Sequence, residues 1–197
     1  MTKIYTGASV SLDGYISGPD YSGFEHLFKW YGNGDIEVTT TNPELTMRVT
    51  EGNKRHLDNL FEMTGALIVG RKLFDYTNGW GGRHTLGVHT VVVSHSVPEG
   101  WEREGEWFTF VDSIEAAVEV AGRHAGEKVV GANGGEIASQ LLEKGLLDEV
   151  WLDLVPVILG GGTPFFSGVS TAALEGPVSV DEQLDVTHLR YRVNRGG

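Results

Sequence analysis

Short apolar runs of strand length recur along the chain at Ile4 to Val10, Ala66 to Val69, Thr90 to Ser94, Lys128 to Val130 and Val150 to Val155, and this rhythm constrains the fold most. Several are apolar at consecutive positions, so both faces of the strand need cover, as in a parallel sheet flanked by helices. Helical stretches alternate with them. A helix is predicted over about Asn53 to Met63. Asp112-Ser113-Ile114-Glu115 reads as an N-cap with Glu at the third helical position, opening a helix that runs to about His124. Glu136 to Lys144 places Ile137, Leu141 and Leu142 on one side, with Gly145 as the stop. Strand and helix in alternation imply βαβ crossovers, hence an α/β fold with a mixed, mainly parallel central sheet. The tail differs: alternating segments around Val178 to Val180 and Leu184 to Val193 lack a helix between them and predict a closing antiparallel portion. Gly18 to Thr50 is the least regular stretch, and a segment of that length in a compact domain is expected to be a functional lid or wall.

With 197 residues, 40% of them hydrophobic, one substantial core and a single domain over 1–197 are expected. A net charge of -12, from 15 basic against 27 acidic residues, argues against a nucleic-acid partner, because neutralising phosphates takes a Lys/Arg surface. Any anionic ligand must be held locally. The absence of Cys excludes disulfides and thiolate metal sites and fits a cytoplasmic location. Met1 to Val10 reads as a first strand rather than a signal peptide, and no run reaches membrane-spanning length.

Candidate chemistry gathers at strand ends. Gly70-Arg71-Lys72 follows one strand and opens a short helix through Phe74, setting two cations and backbone N–H groups at a carboxyl end. Taken alone it is as well read as an ordinary strand-to-helix turn. Gly131-Ala132-Asn133-Gly134-Gly135 follows another strand; its glycines permit close approach of a diphosphate or simply a tight turn. Ser94-His95-Ser96 ends a third, where an ordinary cap is the simpler reading. In open α/β sheets ligands lie beyond the carboxyl ends of strands, so these three segments are expected to line one crevice. Asp13, in Ser11-Leu12-Asp13-Gly14, reaches the same edge or stabilises its own turn. Pro156 to Phe166, with Gly160-Gly161-Gly162, approaches a ligand or turns a hairpin.

The seven His residues form no H-E-x-x-H and no compact cluster with carboxylates, so no metal site is expected. No G-x-S-x-G elbow supports a hydrolase triad. The five Trp residues are expected in the core or an interface, with Trp30 a candidate to stack on a planar ring.

Ser11-Leu12-Asp13-Gly14-Tyr15-Ile16, Val69-Gly70-Arg71-Lys72, Val93-Ser94-His95-Ser96, Gly134-Gly135-Glu136-Ile137 and Val157 to Phe166 occur in an order and spacing that resembles the RibD C-terminal family of the dihydrofolate-reductase-like superfamily. The resemblance spans nearly the whole chain. It implies NADPH bound across the carboxyl ends of the strands, with NADH not excluded, and hydride transfer to a C=N or C=O carbon of a small-molecule substrate, as in riboflavin biosynthesis. By position it implies that Gly70, Arg71 and Lys72 meet cofactor phosphates and that Ser94, His95 and Ser96 form the adenosine-side loop. It further implies that Asn133, Gly134, Gly135, Glu136 and Ile137 form the diphosphate loop, and that Ala8, Ser9 and Ile16 sandwich the nicotinamide. Asp13 is the candidate catalytic residue, as proton donor or orienter of a water. Homodimerisation is expected too, with Trp151 and the Val150 to Ile158 region as one candidate surface. Folate reductases carry a carboxylate at a position that counts to about Lys54 here, with Glu51 and Asp58 only nearby, so dihydrofolate is not the expected substrate. Glu136 stands where a basic residue is common in them. The zinc deaminase half of the bifunctional relatives needs cysteines this chain lacks.

Overall fold

A computed structural model describes residues 2–42 and 45–194. The strands are β1 (Ile4–Ser11), β2 (Tyr15–Ser17), β3 (Ile36–Thr39), β4 (Thr46–Val49), β5 (Thr64–Gly70), β6 (His89–Val93), β7 (Phe108–Val111), β8 (Val129–Ala132), β9 (Glu149–Val155), β10 (Thr163–Pro164), β11 (Leu174–Gln183) and β12 (Val186–Val193). The helices are α1 (Phe24–Leu27), α2 (Glu51–Met63), α3 (Arg71–Tyr76), α4 (Ile114–Ala125) and α5 (Glu136–Glu143).

Eight strands form one sheet in the order β11-β12-β9-β1-β8-β5-β6-β7. Pairings from β9 across to β7 are parallel, whereas β12 joins β9 and β11 joins β12 antiparallel. The predicted mixed sheet with an antiparallel tail is therefore the observed one. On one face, α4 lays Ile114, Ala117, Ala121 and Ala125 against Ile4, Ala66, Ile68, Val91 and Val130. Alanines let the helix approach closely, and each large aliphatic side chain buried there contributes about 1.5–3 kcal/mol. On the other, Phe74 meets Val69, Val92, Phe108 and Phe110.

Local signals hold with small shifts. The N-cap of α4 is Ser113, whose Oγ accepts from the Ala116 N–H, so the cap falls one residue after Asp112. Thr50 caps α2 in the same way, accepting from Asn53. Two features depart from the sequence expectation. Phe108–Val111 is a strand that pairs with β6 at the sheet edge. Gly18 to Thr50, apart from Pro43 and Glu44, which lie outside the described residues, is no featureless loop: it holds α1 and the paired strands β3 and β4, and seats Trp30, Val38, Met47 and Val49 against Leu57, Val155 and Val186. It is a packed wall. Trp151, for which the sequence leaves core and interface both open, is buried within the chain, stacked on Tyr5 with ring centroids 3.8 Å apart and capped by the Arg190 guanidinium. Among the described residues no helix is long and apolar enough to cross a membrane.

Candidate functional site

Because β8, β5 and β6 are adjacent and parallel, their carboxyl ends emerge side by side. Side chains then tie these ends together. The Gly70 N–H donates to Asn133 Oδ1 at 3.2 Å, and Asn133 Nδ2 donates to the Gly134 carbonyl at 2.9 Å. Arg71 Nη1 donates to Ser94 Oγ, to the Ser96 carbonyl and to Ser96 Oγ at 3.1–3.2 Å, while its Nε holds Asp75 at 2.7 Å. Arg71, Ser94 and Gly134 thus belong to one continuous edge. Lys72, His95, Ser96 and Glu136 are exposed along it, and Ile137 turns inward to pack in the core.

β1 ends at the same edge. Asp13 is a hub there: Oδ1 accepts from Ser11 Oγ at 2.6 Å and from the Leu159 N–H at 3.1 Å, and Oδ2 accepts from the Gly160 N–H at 2.7 Å. The Ser11 hydroxyl above all, joined by the two loop amides, holds its carboxyl below the usual range against the opposing effect of desolvation. The glycine loop it grips returns to the edge as β10, which pairs with β2. Phe165 then receives the Gly135 N–H on its carbonyl at 2.8 Å. Gly135 sits at φ 79°, open to glycine at little cost, and a Cβ on Gly134 would stand 3.2 Å from Ile16 Cδ1. Ile16 therefore lies over the Gly134–Gly135 corner. Ala8 and Ser9 are consecutive on β1 and point to opposite faces. Ser9 Oγ accepts from Trp30 Nε1 at 3.1 Å. Trp30 is fully buried, as expected of a core tryptophan, and is not the exposed stacking platform of its other reading.

This donor set suits a phosphate-bearing nucleotide. Arg71 and Lys72, the Ser94, His95 and Ser96 side chains and a corner without side chains follow three adjacent strand ends in a chain whose net charge is strongly negative. Two surface hollows of about 140 and 260 Å³ lie at the opposite, amino edge, around Tyr5 and His89 respectively, away from this convergence.

One cluster corrects the sequence expectation. His56 from α2, Asp153 from β9 and His188 from β12 do come together, with Asp153 Oδ1 2.7 Å from His188 Nδ1 and 3.2 Å from His56 Nε2. Burial alone would raise the Asp153 carboxyl, but the hydrogen bonds and charges of His188 and His56 outweigh it and hold the carboxyl well below the usual range. The residues are far apart in sequence, so no local spacing announces them. The available signal was Asp153 itself, a carboxylate in the middle of an apolar strand, which must find partners when covered.

The molecule is thus an open α/β sheet protein whose candidate site lies at the carboxyl edge of its parallel strands. Residues 2–190 match the RibD C-terminal domain, and the chain belongs to that family. A crystal structure from Shewanella sp. PV-4, of a protein assigned to riboflavin biosynthesis, shares the fold with a TM-score of 0.70 and 22% identity over 99% of this chain and 100% of that one. The riboflavin biosynthesis reductase Rib7 of Saccharomyces cerevisiae follows with a TM-score of 0.61 and 13% identity, over 98% of this chain and 90% of that one. The deaminase/5-amino-6-(5-phosphoribosylamino)uracil reductase of Thermotoga maritima matches with a TM-score of 0.59 and 14% identity, over 98% of this chain but 56% of its own length. No curated protein matches.

Proposed function

We propose that the chain is an NADPH-dependent reductase that delivers hydride to a C=N or C=O carbon of a small heterocyclic or ribosylamino substrate, as in the reductase step of riboflavin biosynthesis. The observation that carries this reading is the stitching of Gly70, Arg71, Ser94 and Asn133 into one edge by direct hydrogen bonds. When bound, the nicotinamide supplies the hydride. Arg71 and Lys72 neutralise phosphate, with Arg71 exchanging its Ser96 contacts for phosphate oxygens; a second cation beside it favours NADPH over NADH. Gly134 and Gly135 let the diphosphate approach the backbone. Ala8 and Ile16 offer apolar surface to the nicotinamide. Asp13 acts as a positioning group: its carboxylate fixes the glycine loop and can orient a water, while the hydrogen bonds it accepts favour the ionised form, which has no proton of its own to deliver. The wall built by the 24–49 segment excludes water from one side of the sheet. The exposed edge strand β11, with Val178 and Val180 uncovered, is the surface we assign to a second copy in a homodimer.

Titration of the purified protein with NADPH, followed by fluorescence quenching, tests the reading. Saturation in the micromolar range is expected. A flat response into the high micromolar range would overturn it.

A further inference from the structure

A polar row runs across the face of the sheet beneath α2. Ser9, Asp153 and His188 are paired in register on β1, β9 and β12, so their side chains share that face. Over the row sit Trp30, edge-on to His188, and His56, whose ring stacks on His188 with centroids 3.6 Å apart and planes 9° from parallel. α2 enters β5 at the amino edge of the sheet, so its first turns, with Asn53 and His56, lie toward the carboxyl edge. Asn53 closes the row, with Oδ1 3.0 Å from His188 Nε2, and its Nδ2 is buried without a partner. An orphaned buried amide donor costs about 1–3 kcal/mol, so its retention calls for a reason.

Proton counting supplies one. An ionised Asp153 only accepts, so His188 Nδ1 carries a hydrogen toward it. With the Asn53 amide turned this way, Oδ1 also only accepts, so Nε2 carries another and this arrangement of the network suits an imidazolium. Rotating the Asn53 amide by a half-turn presents Nδ2 to Nε2 and suits a ring with one proton fewer. The network therefore has two self-consistent states that differ by one proton. A metal ion fits it poorly: the lone pairs of two stacked, near-parallel rings run side by side instead of converging on one point, and Asp153 Oδ1 already occupies the place between them.

We propose that the His56–Asp153–His188 cluster, backed by Asn53, is the proton source for the reduction, with Asp153 as the member that meets the substrate. This rests on the reductase reading. Asp153 keeps 18% of its side chain accessible, against 9% for His56 and 4% for His188, so it forms the open end of the chain of donors. Hydride from NADPH forms the new C–H bond, and the C=N electron pair moves to nitrogen. Nitrogen takes a proton that leaves the imidazolium and is relayed by the Asp153 carboxylate, and the neutral imidazole regains one from solvent through the accessible Asp153 end. NADPH leaves as NADP⁺, and a C=O substrate is reduced in the same way at oxygen. The other groups facing the cluster do not compete. Tyr31 above it is pushed up by burial and by Asp153, Tyr5 on β1 is pushed up to about 12 mainly by burial, and Arg190 on β12 is a fixed cation over Trp151.

The test combines ¹⁵N NMR of the histidine side chains in the NADPH-saturated protein with turnover of 5-amino-6-(5-phosphoribosylamino)uracil by wild type, His56→Gln, His188→Gln and Asp153→Asn. At pH 7 one imidazole should carry protons on both nitrogens, and Asp153→Asn should return it to the single-proton form. Each variant should lower kcat by about tenfold or more, with the NADPH Kd within about twofold of wild type. Two neutral rings in wild type, unchanged kcat in the variants, or stoichiometric uptake of Zn²⁺ by the cluster would each overturn the proposal. Absence of NADPH binding would instead overturn the reductase reading and this role with it. Wild type that binds NADPH yet leaves this substrate untouched refutes that substrate alone, and the NMR result then decides the cluster.

Discussion

Replacing Asn133 separates the mechanical from the electrostatic demands of the carboxyl edge. The side chain clips β5 to β8, accepting from the Gly70 N–H at 3.2 Å and donating to the Gly134 carbonyl at 2.9 Å. Asn133→Ala removes both bonds and leaves the Gly70 N–H without an acceptor, whereas the Gly134 carbonyl is more readily satisfied by water. The loss should be about 2 kcal/mol. For a chain of this size that corresponds to a fall in Tm of roughly 4–8 °C. Asn133→Asp keeps an acceptor for Gly70 but turns a carboxylate oxygen toward the Gly134 carbonyl and adds a negative charge where a diphosphate is proposed to lie. It should lose less Tm than the alanine variant yet bind NADPH about tenfold more weakly, a gap that narrows as salt is raised. Differential scanning calorimetry and NADPH titration at two salt concentrations give both numbers. Wild-type Tm and Kd in Asn133→Ala, or equal NADPH affinity for Asp and Ala at low salt, would refute the reasoning.

Other consequences follow from single residues. Trp30 is fully buried and donates to Ser9, so Trp30→Ala should cost about 4 kcal/mol in urea unfolding, through the cavity it leaves and the orphaned Ser9 hydroxyl. Arg71→Lys loses the fork that reaches Asp75 and the Ser94–Ser96 turn together; NADPH affinity measured by titration should fall about tenfold, NADH affinity less, with little change in Tm. Burial pushes the His84 imidazole down to about 4, and its Nδ1 accepts from the Leu86 N–H, which favours the neutral ring. The unfolded chain takes up this proton below about pH 6.5 and the folded one resists it, so its contribution is present above that pH and is lost on acidification toward pH 4. Because the ring keeps some exposure, about 2 kcal/mol should disappear over that window in denaturant titrations of wild type, and the fall should be smaller in His84→Gln.

The sequence made β1, β5, β6, β8 and β9 legible because each is an apolar run covered on both faces, and α2, α4 and α5 legible because their apolar residues repeat at helical spacing. Phe108–Val111 escaped because four residues after a tract of Trp and Glu carry little periodicity; it is a strand by virtue of pairing with β6. The 18–50 segment escaped for a related reason. Its order comes from Trp30, Val38, Met47 and Val49 packing on α2, β9 and β12, contacts that no local pattern announces. At the site, the strand ends were readable as glycine and cation motifs, but Ser9 turning inward to Trp30 and Asp13 gripping Leu159 and Gly160 depend on chain segments that meet only in three dimensions. The His56–Asp153–His188 cluster is the extreme case, with each member on a different element.

The most direct measurement is an amide hydrogen-exchange footprint of NADPH. Protection should rise together at Gly70 to Lys72, Ser94 to Ser96 and Asn133 to Ile137, with smaller changes around Ala8 and Ile16. Protection confined to the amino edge near Tyr5 and Trp151 or near His89 and His124, or to one of the three strand ends alone, would contradict a shared nucleotide cleft.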